Sequence, residues 1–225
     1  MLYSASNAGI ASGIRLFHLY GSTFQETRAQ FGRLSEVADQ DEPVVQIHYS
    51  HFPGRFTITD AGHVVYAPAL YDGELYQYEQ QNGSWALASV FEGYTEKPPY
   101  ASVTSGPMDT DHADMVTNIA GRADPVAALL HNRTRGLFQL QDGRLVHFTF
   151  SEFGSKRVFG VEVFDQEGNF VGYGPIRSVD LGKNGIANLR WDVACKDDED
   201  RFYIIDREGE NAVVRIVKLK VQPRS

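Results

Sequence analysis

The sequence lacks several features that would place it in familiar classes of protein. Cys195 is the only cysteine among the 225 residues, which excludes an intrachain disulfide and a thiolate metal cluster. Because it lies in the strand-like run WDVACKD, we interpret it as a small core residue. No apolar run is long enough to cross a bilayer, so we expect no membrane-spanning segment.

The first residues also lack the basic segment and the apolar stretch of a signal peptide. As written, the chain is therefore expected to be cytoplasmic. A chain that has lost its natural N-terminus would have the same sequence, and the protein would then be periplasmic or exported.

Positive charge is scarce and scattered. The chain has 21 Lys and Arg against 29 Asp and Glu, a net charge of −8. Nucleic-acid binding needs clustered basic residues that neutralise phosphates. We therefore expect no nucleic-acid partner and look for a protein or a small ligand instead.

Aromatic residues and tight turns, by contrast, are abundant. The 14 Phe and 11 Tyr favour strands over helices. Three stretches share one pattern of β-rich runs separated by polar turns: Arg55 to Gln80, Gly136 to Tyr173 and Leu189 to Val221. The turns Asp60-Ala61-Gly62 and Asp142-Gly143 have the residue types of β-hairpins. Repeats of this kind predict antiparallel modules, the third of which ends after three strands.

The remaining segments of the sequence lie before and between these modules. Residues 1–13 are predicted to be a loose lead-in, 14–20 and 24–31 a pair of strands, and 44–52 an edge strand. Residues 94–135 interrupt the repeat as an insertion, in which Asp124 to Asn132 has the N-terminal signals of a short helix. Long insertions in repeat folds emerge on one face and often carry function.

The segments TDAGHVVYAPALYDGELYQYE and FDQEGNFVGY resemble bacterial six-bladed β-propellers of the NHL-like and Tol-system type, over roughly residues 14–222. The resemblance implies an all-β fold: one propeller domain, 1–225, of four-stranded antiparallel blades. About four blades are visible, which leaves two alternatives open. The chain is either a small closed ring or, as we favour, the C-terminal part of a six-bladed ring.

The most acidic part of the insertion contains Asp109, Asp111 and Asp114. Carboxylates at this spacing on a loop supply the oxygen ligands that calcium prefers. The loop lacks the glycine and the closing glutamate of an EF-hand, however, so a plain polar loop is the alternative. Calcium is the one cofactor that the sequence suggests.

Tyr66, Tyr71, Tyr94 and Tyr100 are the candidate binding residues. Together with neighbouring prolines, they could line one mouth of a propeller, since aromatic residues are enriched at interfaces. The alternative for Tyr66 and Tyr71 is that they pack between blades.

No complete catalytic set can be recognised. There is no G-x-S-x-G elbow, and His63, His147 and His18 lie within strand-like runs, where partly buried, hydrogen-bonded rings are the expected state. We therefore predict a non-catalytic binding or scaffold module that uses loops on one face. The alternative is a calcium-assisted, lactonase-like hydrolase with acidic residues at the central channel.

Overall fold

The computed structural model describes residues 3–4, 15–20, 27–39, 42–51, 54–103, 114–117, 126–180, 191–207 and 211–220. These residues form five antiparallel sheets and one α-helix, α1 (Pro43–His51). The all-β prediction is therefore confirmed. Within the same ranges, no helix combines the length and the apolar character needed to span a membrane.

The sheets follow one another along the chain. The first contains β1 (Tyr3–Ser4), β2 (Arg15–Tyr20) and β3 (Thr27–Arg33). The second contains β4 (Arg55–Ile58), β5 (Val64–Ala67), β6 (Glu74–Gln81) and β7 (Ser84–Glu92). The third contains β8 (Tyr100–Val103), β9 (Met115–Thr117) and β10 (Val126–Leu130), with β10 in the middle.

The fourth sheet contains β11 (Asn132–Gln139), β12 (Leu145–Phe153), β13 (Lys156–Phe164) and β14 (Phe170–Asp180). The fifth contains β15 (Trp191–Lys196), β16 (Arg201–Asp206) and β17 (Val213–Lys218). In both sheets, spatial order follows chain order. The prediction that the last module has three strands is confirmed in the described residues.

The predicted hairpin turns are present. Gly62 closes the β4–β5 turn with φ +81°, and Gly143 closes the β11–β12 turn with φ +84°. These dihedrals lie in the left-handed region, which glycine enters without a steric penalty. Turn chemistry therefore sets the register of both hairpins.

Two local predictions were wrong. Residues 44–52 were expected to form an edge strand, but Pro43–His51 is helical and buries Val44, Val45 and Tyr49. The expected helix in 124–132 is instead β10 over Val126–Leu130, which pairs with strands on both sides. Tertiary pairing overrides a local helical signal here.

The insertion and the sheet count also need correction. In its described part, residues 94–135 supply the third sheet and the start of β11, so this region is more than a loop. Tyr3 pairs with Leu19, which places part of the predicted lead-in within the first sheet. About four four-stranded sheets were expected. The described residues instead form five sheets, of which only the second and fourth have four strands.

The sheets pack face to face in three apolar cores. The first sheet, α1 and part of the third sheet pack on one face of the second sheet. The other face of the second sheet packs on the fourth, and the far face of the fourth packs on the fifth. Strands β12 and β13 are therefore buried on both faces along nearly their whole length. Cys195 is exposed on β15, which corrects its interpretation as a core residue.

Candidate active site

A buried polar cluster lies between the second and fourth sheets and centres on Glu162 of β13. Its Oε2 accepts a hydrogen bond from the Tyr71 hydroxyl at 2.7 Å and lies 2.8 Å from Nδ1 of His147. Its Oε1 accepts from the backbone N–H of Tyr94 at 2.6 Å. The side chains of His147 and Glu162 are both 0% exposed. Burial of a carboxylate is tolerated because hydrogen-bond donors replace the lost water.

Both ring nitrogens of His147 are engaged. The Thr134 hydroxyl donates its single hydrogen to the carbonyl oxygen of Pro68 at 2.5 Å. It can therefore only accept from Nε2 of His147, 3.0 Å away. With Nδ1 directed at Glu162, both ring nitrogens are held in hydrogen-bond contacts. No nitrogen is left to react, so this pair is structural.

Tyr71 and Gly93 close this cluster. The Tyr71 ring meets the His147 ring edge to face at 4.4 Å. Burial, together with the nearby Glu162 carboxylate, raises the pKa of Tyr71, so its hydroxyl keeps its proton and donates. A Cβ built on Gly93 would overlap the Tyr71 hydroxyl and the Glu162 carboxylate. Position 93 therefore has room only for glycine.

A second ionic cluster forms where β12 ends and β13 begins. The Arg157 guanidinium holds Asp114 through two hydrogen bonds of 2.9 Å and reaches Oε1 of Glu152 at 2.7 Å. Asp114 also accepts from the backbone N–H of Leu130 at 2.9 Å. These contacts tie the third sheet to the fourth.

The other oxygen of Glu152 has two cationic or titratable neighbours. Its Oε2 lies 2.9 Å from Nδ1 of His131 and 3.0 Å from Nζ of Lys97. The backbone adds a further link, since the N–H of Glu152 donates to the carbonyl of His131 at 3.0 Å. The Asn132 amide and the backbone N–H groups of His131 and Asn132 bind carbonyls of residues 97–99. The segment that carries Lys97 is thereby fixed beside His131.

The hydrogen-bond partners of Glu152 keep its carboxyl group ionised. Burial alone would raise the pKa of this carboxyl, but hydrogen bonds from Arg157, Lys97 and His131 outweigh burial and lower it. Glu152 therefore remains a carboxylate and cannot donate a proton as a general acid. Because the Glu152 carboxylate lies beside Nδ1 of His131, it favours the His131 tautomer that carries the proton on Nδ1.

His131 differs from His147 in its access to solvent. Its side chain is 12% exposed, and Lys97 beside it is 34% exposed. Among the residues that the structure describes, Nε2 of His131 has no hydrogen-bond partner. A histidine oriented by a carboxylate, with its second nitrogen open, has the arrangement of a general base.

The four predicted tyrosines divide into two pairs. Tyr66 and Tyr71 are 1% and 0% exposed, so they belong to the packed interior and do not line an open mouth. Tyr94 is 45% exposed and stacks on Phe153 at 5.7 Å, and Tyr100 is partly exposed on β8. Only Tyr94 and Tyr100 remain as surface binding candidates.

The predicted calcium ligands are only partly placed. Asp109 and Asp111 lie outside the described residues, and Asp114 gives its oxygens to Arg157 and Leu130. Within the described ranges, no group of three potential metal ligands converges. The calcium site stays a prediction.

Sequence reasoning missed the pairing of His131 with Glu152. The two residues are 21 positions apart, one on a connector and one at the end of a strand, so no short motif joins them. A weaker signal was available: His147, Glu152 and Glu162 are ionisable residues within strands that are otherwise largely apolar. Such residues need partners from elsewhere in the fold. The expectation that His147 is hydrogen-bonded is confirmed, and its ring is fully buried where partial burial was expected.

Comparison with known proteins identifies no family for this chain. No family model matches the chain, and no curated protein matches it. One similar solved structure is that of an endo-arabinase from Bacteroides thetaiotaomicron VPI-5482, with a TM-score of 0.34 and 16% sequence identity. The match covers 76% of this chain and 56% of the endo-arabinase chain, so this chain spans little more than half of that structure.

The prediction of a non-catalytic binding or scaffold module must be corrected. The finding that stands against it is the likeness to the endo-arabinase structure. At that TM-score the likeness identifies no reaction and no residue. The case for chemistry must come from the site itself.

Proposed function

We propose that this chain is a hydrolase in which His131 activates water for attack on an ester or lactone. The observation that carries the proposal is the contrast between two histidine–glutamate pairs in one sheet region. The His147–Glu162 pair is fully buried with both ring nitrogens in contact with partners, whereas the His131 side chain is 12% exposed and its Nε2 has no hydrogen-bond partner among the described residues.

The reaction divides between three side chains. Nε2 of His131 takes a proton from water as the water oxygen bonds to the carbonyl carbon. The negative charge that develops on the carbonyl oxygen faces the Lys97 ammonium, the exposed cation of the cluster. When the carbon–oxygen bond breaks, the alkoxide leaves with the proton from His131. Glu152 stabilises the imidazolium between these steps.

An ester or lactone suits this cluster better than a glycoside. Glycoside hydrolysis uses one carboxylic acid to protonate the leaving oxygen. Glu152 has a lowered pKa, and both oxygens of Asp114 accept from Arg157. Neither carboxyl is available as an acid, whereas a histidine base needs none.

The scaffold proposed for this site is a β-propeller whose blades are antiparallel sheets. Face-to-face packing of the second sheet on the fourth, and of the fourth on the fifth, supports this proposal. The inner strands support it too, because β4 and β15 approach one another through Arg55 and Asp192 at 3.4 Å. Kinship with the NHL-like and Tol-system propellers remains a prediction from sequence.

The test is turnover by the purified chain of p-nitrophenyl acetate, a γ-lactone and p-nitrophenyl α-L-arabinofuranoside. We expect hydrolysis of the first two and a loss of about 10²- to 10⁴-fold in kcat/KM for His131→Gln. Glu152→Gln should lower the rate as well, because the His131 tautomer loses its partner.

His63→Gln is the matched control. Nδ1 of His63 lies 3.5 Å from Glu79, in a similar pair on the second sheet, and its side chain is 34% exposed. Its rate should equal that of the wild type. Equal rates for His131→Gln and wild type, or turnover of the arabinofuranoside alone, would refute the proposal.

The calcium-assisted version of the hydrolase is tested in the same assay. Activity lost in EDTA and restored by Ca²⁺ would support a site built from Asp109, Asp111 and Asp114. The arrangement at His131 needs no metal, so we expect equal rates in EDTA and in Ca²⁺.

A further inference from the structure

Two arginines of β11 lack carboxylate partners. No carboxylate of the described residues accepts a hydrogen bond from Arg133 or Arg135, and the buried Nε of each has no hydrogen-bond partner. Both guanidinium groups instead lie over the Phe150 ring, with Cζ at 5.3 and 5.6 Å from its centroid. Unpaired buried charges are costly, and proteins normally pair them.

The carboxylates nearest to these arginines have other partners. Asp114 and Glu152 bind Arg157, whose guanidinium also lies over Phe150 at 5.6 Å. Asp192 reaches Arg55 at 3.4 Å through Oδ2, whereas its Oδ1 is buried without a hydrogen-bond partner, and its charge favours the charged form of Arg135. Together the cluster contains Arg55, Arg133, Arg135 and Arg157 against Asp114, Glu152 and Asp192. The described residues therefore leave positive charge uncompensated in a chain whose net charge is −8.

The surroundings make these two positive charges energetically costly. Burial lowers the pKa of Arg133 to about 9, and the like charge of Arg135 acts in the same direction. Burial also lowers the pKa of Arg135. Both residues are only partly buried as a whole, so an incoming group can still reach their outer nitrogens.

We propose that Arg133 and Arg135 form a binding site for an oxyanion, the carboxylate or phosphate group of a small ligand. A guanidinium presents parallel N–H donors that match two oxygens of such a group, and two guanidinium groups can hold it from two sides. Phe150 fixes their positions through its ring face. The site stands whether or not the chain is a hydrolase, because its test requires binding alone.

The experiment titrates the chain with inorganic phosphate, sulfate and acetate at constant ionic strength, by calorimetry and by thermal unfolding. We expect saturable binding and a Tm that rises with the bound anion. Binding by phosphate alone would identify a phosphate ligand, and binding by acetate alone a carboxylate ligand.

Arg133→Met/Arg135→Met should weaken binding by at least about tenfold, the loss expected for one charge-assisted hydrogen bond. Arg144→Met is the control, since Arg144 pairs with Asp142 on the surface, and it should bind like the wild type. In anion-free buffer, Arg135→Met should have a higher Tm than the wild type, because an unpaired buried charge is gone. Absence of saturable binding by all three anions, or equal binding by the double variant, would overturn the proposal.

Discussion

Glu162 and His147 form a closed polar pair between the second and fourth sheets, with Nδ1 of His147 2.8 Å from Oε2 of Glu162 and both side chains fully buried. The pair joins β12 to β13, and Tyr71 extends it to the loop after β5. It therefore connects the second sheet to the fourth through polar contacts inside an apolar core.

Replacement of the Glu162 carboxyl should strongly destabilise the fold. Glu162→Gln alters one member of the buried pair with His147, and the loss of one member of a buried pair typically costs roughly 3–5 kcal/mol. Urea denaturation at pH 7 measures the loss. Glu167→Gln, in the exposed β13–β14 turn, should change the free energy of unfolding by less than about 0.5 kcal/mol. A loss below about 1 kcal/mol for Glu162→Gln would contradict the paired state.

Gly93→Ala should destabilise the same cluster from its other side. The added methyl group would overlap the Tyr71 hydroxyl and the Glu162 carboxylate, so the network must shift. Overpacking of this kind typically costs about 1–3 kcal/mol. The control is Gly172→Ala on β14, where nothing lies within 4 Å of the new Cβ. Equal unfolding midpoints for the two variants would show that the network adapts freely.

Glu152 should make stability sensitive to acid. Its folded pKa is lowered, so its ion pairs stabilise the fold above the ordinary pKa of about 4.3. This contribution disappears as the pH falls through the lowered pKa. Glu152→Gln should cost about 2 kcal/mol at pH 7, less than a sealed pair because Lys97 is partly solvated, and much less at pH 3.

Urea denaturation at pH 7, 5 and 3 measures this trend. Glu199→Gln provides the reference, since the Glu199 side chain is 66% exposed. A cost of Glu152→Gln that stays constant across the series would rule out the ionic role.

The outermost strand of the fifth sheet should promote self-association. β17 is an edge strand, and its Val213, Val214 and Ile216 are 48%, 59% and 61% exposed. Exposed apolar edge strands can pair with another chain. Ile216→Lys should therefore lower the apparent mass in concentrated samples, as measured by light scattering. Ala61→Lys in the exposed β4–β5 turn introduces the same charge away from a strand edge and should leave the mass unchanged.

The sequence predicted the hairpins well because their determinants are local. The turns Asp60-Ala61-Gly62 and Asp142-Gly143 each contain the glycine that a left-handed backbone conformation requires. Helix α1 was misread as a strand although its buried residues, Val44, Val45, His48 and Tyr49, follow helical spacing. A run of β-branched and aromatic residues obscured that spacing.

The candidate site could not be predicted because its parts meet only in the folded chain. Lys97, His131 and Glu152 come from two connectors and a strand end. Tyr66 and Tyr71 have the composition of a binding surface but are buried, since local sequence does not reveal which face of a strand meets another sheet. The arginines of β11 were also missed, because the negative net charge of the whole chain does not reveal a local excess of positive charge.

The junction between the β5–β6 loop and β11 has a consequence for how quickly the chain folds. Leu70 forms an antiparallel bridge with Arg133, and the Thr134 hydroxyl reaches Pro68 across 66 residues of sequence. Contacts between residues so far apart in sequence require the closure of a large loop, and such contacts slow folding. The proposed anion site and the His131–Glu152 pair belong to the local β11–β12 hairpin, whereas Lys97 reaches Glu152 across 55 residues of sequence. A partly folded chain could therefore form this hairpin before Lys97 completes the proposed catalytic cluster.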